Sequence, residues 1–120
     1  MIYCAPNPAT SLLEVLVHAE IDLDDVPVNF RYLEIEVPDA ARSEEVSESV
    51  LKRNWPQDLS LTRDYGDEWL EAGRTALLRV PSTIVPATWN VLINPRHPQA
   101  RSMKITHVYE HALDDRLRRR

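Results

Sequence analysis

The chain has 120 residues, 43% hydrophobic and 28% charged, which suits one globular domain and leaves no room for two. A net charge of −5 opposes general or direct nucleic-acid binding, which needs a basic surface, and no apolar run reaches membrane-spanning length. Cys4 is the single cysteine, so no internal disulfide can form; with no basic-then-apolar leader at the start, a cytoplasmic protein is expected.

Ile2 to Ala5 is short, β-branched and aromatic, and stops at Pro6, as a strand does. Asn7 can cap a helix whose first position is Pro8, where a missing N–H costs nothing, and the helix is expected to run to about Ala19. Ala9, Leu12, Leu13, Leu16 and Val17 follow the spacing of one apolar face. Ser11, Glu14 and His18 fall opposite, so by spacing alone Glu14 and His18 form an exposed pair one turn apart. Further on, Leu33, Ile35 and Val37 alternate with Glu34 and Glu36, while Val28, Phe30 and Tyr32 carry the opposite phase. A bulge near Tyr32 and Leu33 reconciles the two.

Ser43 to Leu51 is acidic and is expected to form a short helix before a loop at Asn54, Trp55 and Pro56. Thr62 as N-cap and Gly73 as C-terminal glycine bracket a second helix holding Tyr65, Trp69 and Leu70, with Trp55 and Trp69 as core anchors. Thr75 to Val80, Trp89 to Ile93 and Met103 to Tyr109 are strands, separated by Pro81, Pro86, Pro95 and Pro98. Arg116, Arg118, Arg119 and Arg120 form a solvated basic end. Strands mixed with a few helices and short proline-marked loops define an α+β fold with mixed or antiparallel sheets.

Several chemistries are excluded. Gly66 and Gly73 are the only glycines, so neither a P-loop nor a GxGxxG fingerprint exists. Ser82 lies in Val80-Pro81-Ser82-Thr83, without the glycines of a nucleophile elbow. His107 and His111 flank Glu110 in an order that is not HExxH, and no third ligand lies nearby, so no metal site is expected.

Three blocks together resemble the RES-domain family. The first is Ile2-Tyr3-Cys4-Ala5 with Ser11-Leu12-Leu13-Glu14-Val15-Leu16-Val17-His18, the strand and helix that supply the family's tyrosine and glutamate. The second is Gly66-Asp67-Glu68-Trp69-Leu70, then Leu78-Arg79-Val80-Pro81-Ser82-Thr83-Ile84-Val85-Pro86, which supplies its serine. The third is Asn90-Val91-Leu92-Ile93-Asn94-Pro95-Arg96-His97-Pro98, with Asp115-Arg116-Leu117 closing the domain. The resemblance implies a fold similar to ADP-ribosyltransferase toxins and the role of toxin in a bacterial toxin-antitoxin pair, with an Xre-type antitoxin as partner. NAD is then substrate rather than cofactor, cleaved at the nicotinamide-ribose bond by hydrolysis or phosphorolysis. ADP-ribosyl transfer to a protein, or a non-catalytic remnant that binds the antitoxin, are the alternatives.

Family members begin earlier, with an arginine-tyrosine pair and a Gly-Arg-Trp-Asn segment that this sequence does not contain. The expectation is a single RES domain over residues 1–120 lacking its N-terminal segment, with exposed sheet edge that favours homo-oligomers. The family's arginine grips the NAD phosphates; Arg31, Arg79 and Arg96 match no equivalent motif, so weak activity is expected. Cleavage of the nicotinamide bond develops positive charge at the anomeric carbon, which a carboxylate stabilises. The resemblance gives Glu14 that role, and Ser82 joins it as catalytic. Tyr3 is placed against the nicotinamide or ribose, with Asn90 and His97 as weaker substrate-binding candidates.

Overall fold

The computed structural model describes residues 1–18, 29–46 and 59–118. Within them the elements run β1 (Ile2–Cys4), α1 (Pro8–His18), β2 (Asn29–Glu36), β3 (Ser43–Glu45), α2 (Leu59–Ala72), β4 (Leu77–Pro81), β5 (Trp89–Ile93) and β6 (Lys104–Ala112). Short 3-10 helices cover Pro98–Ser102 and Asp115–Arg118. The expected loop around Trp55 and the residues 47–51 of the expected acidic helix lie outside the described residues.

Local chemistry sets the boundaries. The Asn7 Oδ1 accepts the Thr10 N–H at 2.8 Å, so Asn7 caps α1 as its sequence position implies, with Pro8 at the first helical position. At the end of α2, Gly73 adopts φ 65° and donates its N–H to the Trp69 carbonyl at 3.1 Å, a left-handed stop that a β-carbon disfavours. The start of α2 is corrected: the helix begins at Leu59, which puts Thr62 inside it rather than at the cap.

Four strands form one sheet in the order β1-β5-β4-β3, with β1, β5 and β4 antiparallel and β3 parallel to β4. The fold is therefore α+β with a mixed sheet, as expected. Side chains alternate across a strand, so Leu78, Val80, Asn90, Leu92 and Tyr3 share one face, and Leu77, Arg79, Val91, Ile93 and Cys4 share the other. On the first face, α2 packs Trp69, Tyr65 and Leu70 against Leu78, Leu92 and Val46. On the second, Ile35, Ala41, Ala100 and Met103 pack against Ala76, Leu77 and Ile93. Cys4 is a half-buried member of this second cluster, and burial pushes its thiol pKa up.

The acidic segment at Ser43 is a correction. Its first residues form β3 instead of a helix, because its carboxylates meet cations on both faces of a strand. Glu44 Oε2 lies 3.3 Å from Arg74 Nη2 and Glu45 Oε2 lies 3.1 Å from Arg79 Nη1. Backbone bonds from Leu77 N to Arg42 O and from Val46 N to Arg79 O complete the ladder at 3.2 and 2.9 Å.

The second sheet is the antiparallel ribbon β2-β6. Its irregularity falls between Glu34 and Ile35, two residues later than the phase change in the sequence suggests. Glu34 pairs with His107 and Ile35 with Ile105, so the extra residue is Thr106 on β6. Phe30, Tyr32 and Ile35 turn inward while Leu33 and Glu34 are exposed, which is the phase switch.

Candidate functional site

The buried side of α1 is polar at its centre. Glu14 is 7% exposed and Thr10, one turn earlier, is buried as well, while Leu13, Val15 and Val17 are exposed. The apolar stripe expected to face inward is thus only partly inside, and the expected solvent-facing Glu14 is corrected. The reason lies across the chain: Ser82, just after β4, and Asn90 on β5 offer hydrogen-bond donors to the Glu14 carboxylate. The side chain of His18 lies outside the described residues.

Two donors meet one oxygen of that carboxylate. Ser82 Oγ donates to Glu14 Oε1 at 3.1 Å and Asn90 Nδ2 donates to the same atom at 2.8 Å. Asn90 Nδ2 also donates to the Tyr3 hydroxyl at 3.0 Å. A buried carboxylate is costly unless it is bonded, and these contacts offset that cost. Ser82, 9% exposed, stands where β4 turns into the 82–88 loop, with its N–H on the Thr88 carbonyl at 2.8 Å. Its Oγ accepts the Ile84 and Val85 N–H groups, each at 3.1 Å. Asn90 is fully buried on β5, where backbone pairing with Val80 fixes it.

Tyr3 completes the group from β1, with 54% of its surface exposed. Burial of its hydroxyl raises its pKa above 10.0, the charge of Glu14 raises it further, and the Asn90 bond pulls the other way. Tyr3, Glu14, Ser82 and Asn90 therefore come together in one network. His97 does not join them. It follows the far end of β5, about 10 Å of strand beyond Asn90 at roughly 3.3 Å per residue, and its Nδ1 accepts the Gln99 N–H at 3.1 Å to cap the 3-10 helix.

Arg79 and Arg31 lie elsewhere. Arg79 is on the opposite sheet face, 5.3 Å over the Trp89 ring, and Arg31 pairs with Glu110 on the ribbon at 3.9 Å. His107 Nδ1 lies 3.0 Å from Glu34 Oε2, and the nearest contact of His111 Nδ1 is a backbone carbonyl. No group of three metal-ligating side chains converges among the described residues. The Ile84 and Val85 amides and the buried Thr10 are not singled out by the sequence. The one available signal for the amides is a serine after a strand, which commonly bonds N–H groups two and three residues on.

Such a chain is an α+β domain organised around a buried carboxylate that is held by donors from a distant loop and a distant strand. A family model for the RES domain matches residues 1–115, and the chain belongs to that family. It is 44% identical over 117 residues to Toxin Res of Pseudomonas putida, covering 98% of this chain and 79% of that protein. It is 36% identical to the Prs ADP-ribosylating toxin of a Sphingobium species, covering 100% of this chain and 76% of that one. Toxin Res of Yersinia enterocolitica is 33% identical over 98% of this chain and 77% of its own length.

Proposed function

We propose that the chain is the toxin of a bacterial toxin-antitoxin pair that cleaves NAD at the nicotinamide-ribose bond in the cytoplasm and is restrained by an Xre-type antitoxin. The observation that carries this reading is the Glu14 carboxylate, buried and braced by Ser82 and Asn90 beside the half-exposed ring of Tyr3. In the reaction the bond from ribose C1′ to the nicotinamide nitrogen breaks, and its electron pair neutralises the pyridinium. Positive charge remains on C1′ and the ring oxygen. A fixed carboxylate stabilises that charge without reorganising at the moment of reaction. Water or phosphate then bonds to C1′ and releases a proton. The exposed aromatic face of Tyr3 is suited to the nicotinamide or ribose.

Incubating the purified chain with NAD and following free nicotinamide by chromatography tests the reading. Slow release by the wild type and its loss in Glu14→Gln are expected; undiminished release by Glu14→Gln overturns it. A second reading, transfer of ADP-ribose to a protein side chain, is favoured by the similarity to the Sphingobium toxin, whose name states that activity. Label from adenine-tagged NAD appearing on protein, rather than in free ADP-ribose, selects it.

A further inference from the structure

Which groups of the network can touch a ligand follows from their hydrogen-bonding capacity. A hydroxyl has one hydrogen and two lone pairs. Ser82 uses all three: its hydrogen goes to Glu14 and its lone pairs receive the Ile84 and Val85 amides. Those amides leave the Ser82 hydrogen one direction to point, toward Glu14. Asn90 likewise commits both hydrogens of its amide nitrogen, to Tyr3 and to Glu14. Its orientation is fixed, since the flipped amide would set its oxygen against a carboxylate oxygen. The remaining Asn90 Oδ1 is buried and makes no hydrogen bond among the described residues.

We infer that Ser82 and Asn90 are positioning residues that act through Glu14, and that Asn90 couples Glu14 to Tyr3 so that those two meet the ligand as one rigid pair. This rests on the reading of Glu14 and Tyr3 as the ligand-facing groups. Both donors converge on Oε1, which sets the plane of the carboxylate. The anchors are stiff: Asn90 sits within the β4-β5 ladder and Ser82 at its end. A contact role through the Ser82 hydroxyl or the Asn90 amide nitrogen requires breaking a bond that the fold has made; a positioning role requires nothing further.

Nuclear magnetic resonance of the chain without ligand tests the coupling. The two side-chain amide protons of Asn90 exchange slowly with water; Tyr3→Phe shifts one of them and Glu14→Gln shifts both, the proton bonded to the carboxylate more. Asn90→Ala and the shape-preserving Asn90→Asp both move the titration of Tyr3, followed on ring-labelled tyrosine, to higher pH. Unmoved amide protons in Tyr3→Phe, or an unmoved Tyr3 titration in folded Asn90 variants, overturn the coupling. With NAD, Ser82→Ala and Asn90→Ala lower nicotinamide release about 10- to 100-fold while the NAD Kd changes by less than about threefold, and Ser82→Thr restores most of the rate. A Kd that weakens in step with the rate overturns the positioning role and makes these residues substrate contacts. If the amide and tyrosine signals behave as stated but the wild type releases no nicotinamide, the proposed activity fails and the coupling stands.

Discussion

The Glu14 carboxylate and the Asn90 amide meet at 2.8 Å although 76 residues separate them, and both side chains are buried. Glu14→Gln keeps the shape and an acceptor for Asn90 and Ser82 but removes the charge. The fold should persist in circular dichroism, while nicotinamide release falls by about 100- to 1000-fold, the range for losing a preorganised electrostatic group. Glu14→Leu separates stability from chemistry. It leaves the Ser82 and Asn90 hydrogens without their buried acceptor, and urea titration should show a loss of about 1–3 kcal/mol. Wild-type stability in that variant would mean the network is not formed in solution.

Trp69 anchors the other half of the same sheet face. Its ring is fully buried against Val46, Leu78 and Leu92, and its Nε1 donates to Thr75 Oγ1 at 2.9 Å. Trp69→Ala should cost about 3–5 kcal/mol, enough to unfold a marginal domain. Trp69→Phe keeps most of the contact area and loses the hydrogen bond. The cost of Phe should be clearly the smaller in denaturant melts; equal losses would show that ring packing contributes little.

Trp69 was legible because a large aromatic within a capped helix has few alternatives to the core. Glu14 was not, because periodicity judges a helix by its own residues. Leu13 and Val17 made an apolar stripe, and nothing nearby in sequence shows that Ser82 and Asn90 wait across the chain to receive a carboxylate. The family resemblance supplied Glu14, Ser82 and Tyr3; it left Asn90 as a weak choice, and the structure puts it at the centre. The strand at Ser43 was missed for a similar reason, since its charges are matched by Arg74 and Arg79 from distant segments. The bulge was legible from the clash of phases in β2, but its exact register depended on β6, where Thr106 is the inserted residue.

The loop that carries Ser82 holds one strained residue. Ala87 has φ 54°, a left-handed conformation that costs an L-residue on the order of 1–2 kcal/mol, directly after Pro86 in the turn to β5. Ala87→Gly removes that strain and adds unfolded-state entropy worth about 0.5–1 kcal/mol, so a small net gain in stability is expected. Ala87→Val, branched at the β-carbon, should destabilise. Thermal melts of the two variants should bracket the wild type; a Val variant at least as stable as the wild type would refute the strain.

Alkaline pH should act on the fold through Tyr3. Its folded pKa is raised, by burial first and by the Glu14 charge second, above the 10.0 of an unperturbed tyrosine. Above that value the unfolded chain gives up the proton before the folded one, so the unfolded state binds fewer protons and stability falls with rising pH. The contribution is fully present below about pH 10 and is lost as pH climbs through the folded value. Tyr65 and Tyr109 are also raised, each with a glutamate close by, and act in the same direction, so the wild type alone does not isolate Tyr3. The comparison with Tyr3→Phe does. Urea titrations at about pH 8, 9.5 and 11 should show the wild type losing ground to Tyr3→Phe only in the last interval. Glu14→Gln should flatten that loss, because it removes one of the two causes, and Asn90→Ala should steepen it, because Asn90 favours the ionised hydroxyl. Parallel pH profiles for the wild type and Tyr3→Phe would place the Tyr3 hydroxyl in water, detached from Asn90 and Glu14.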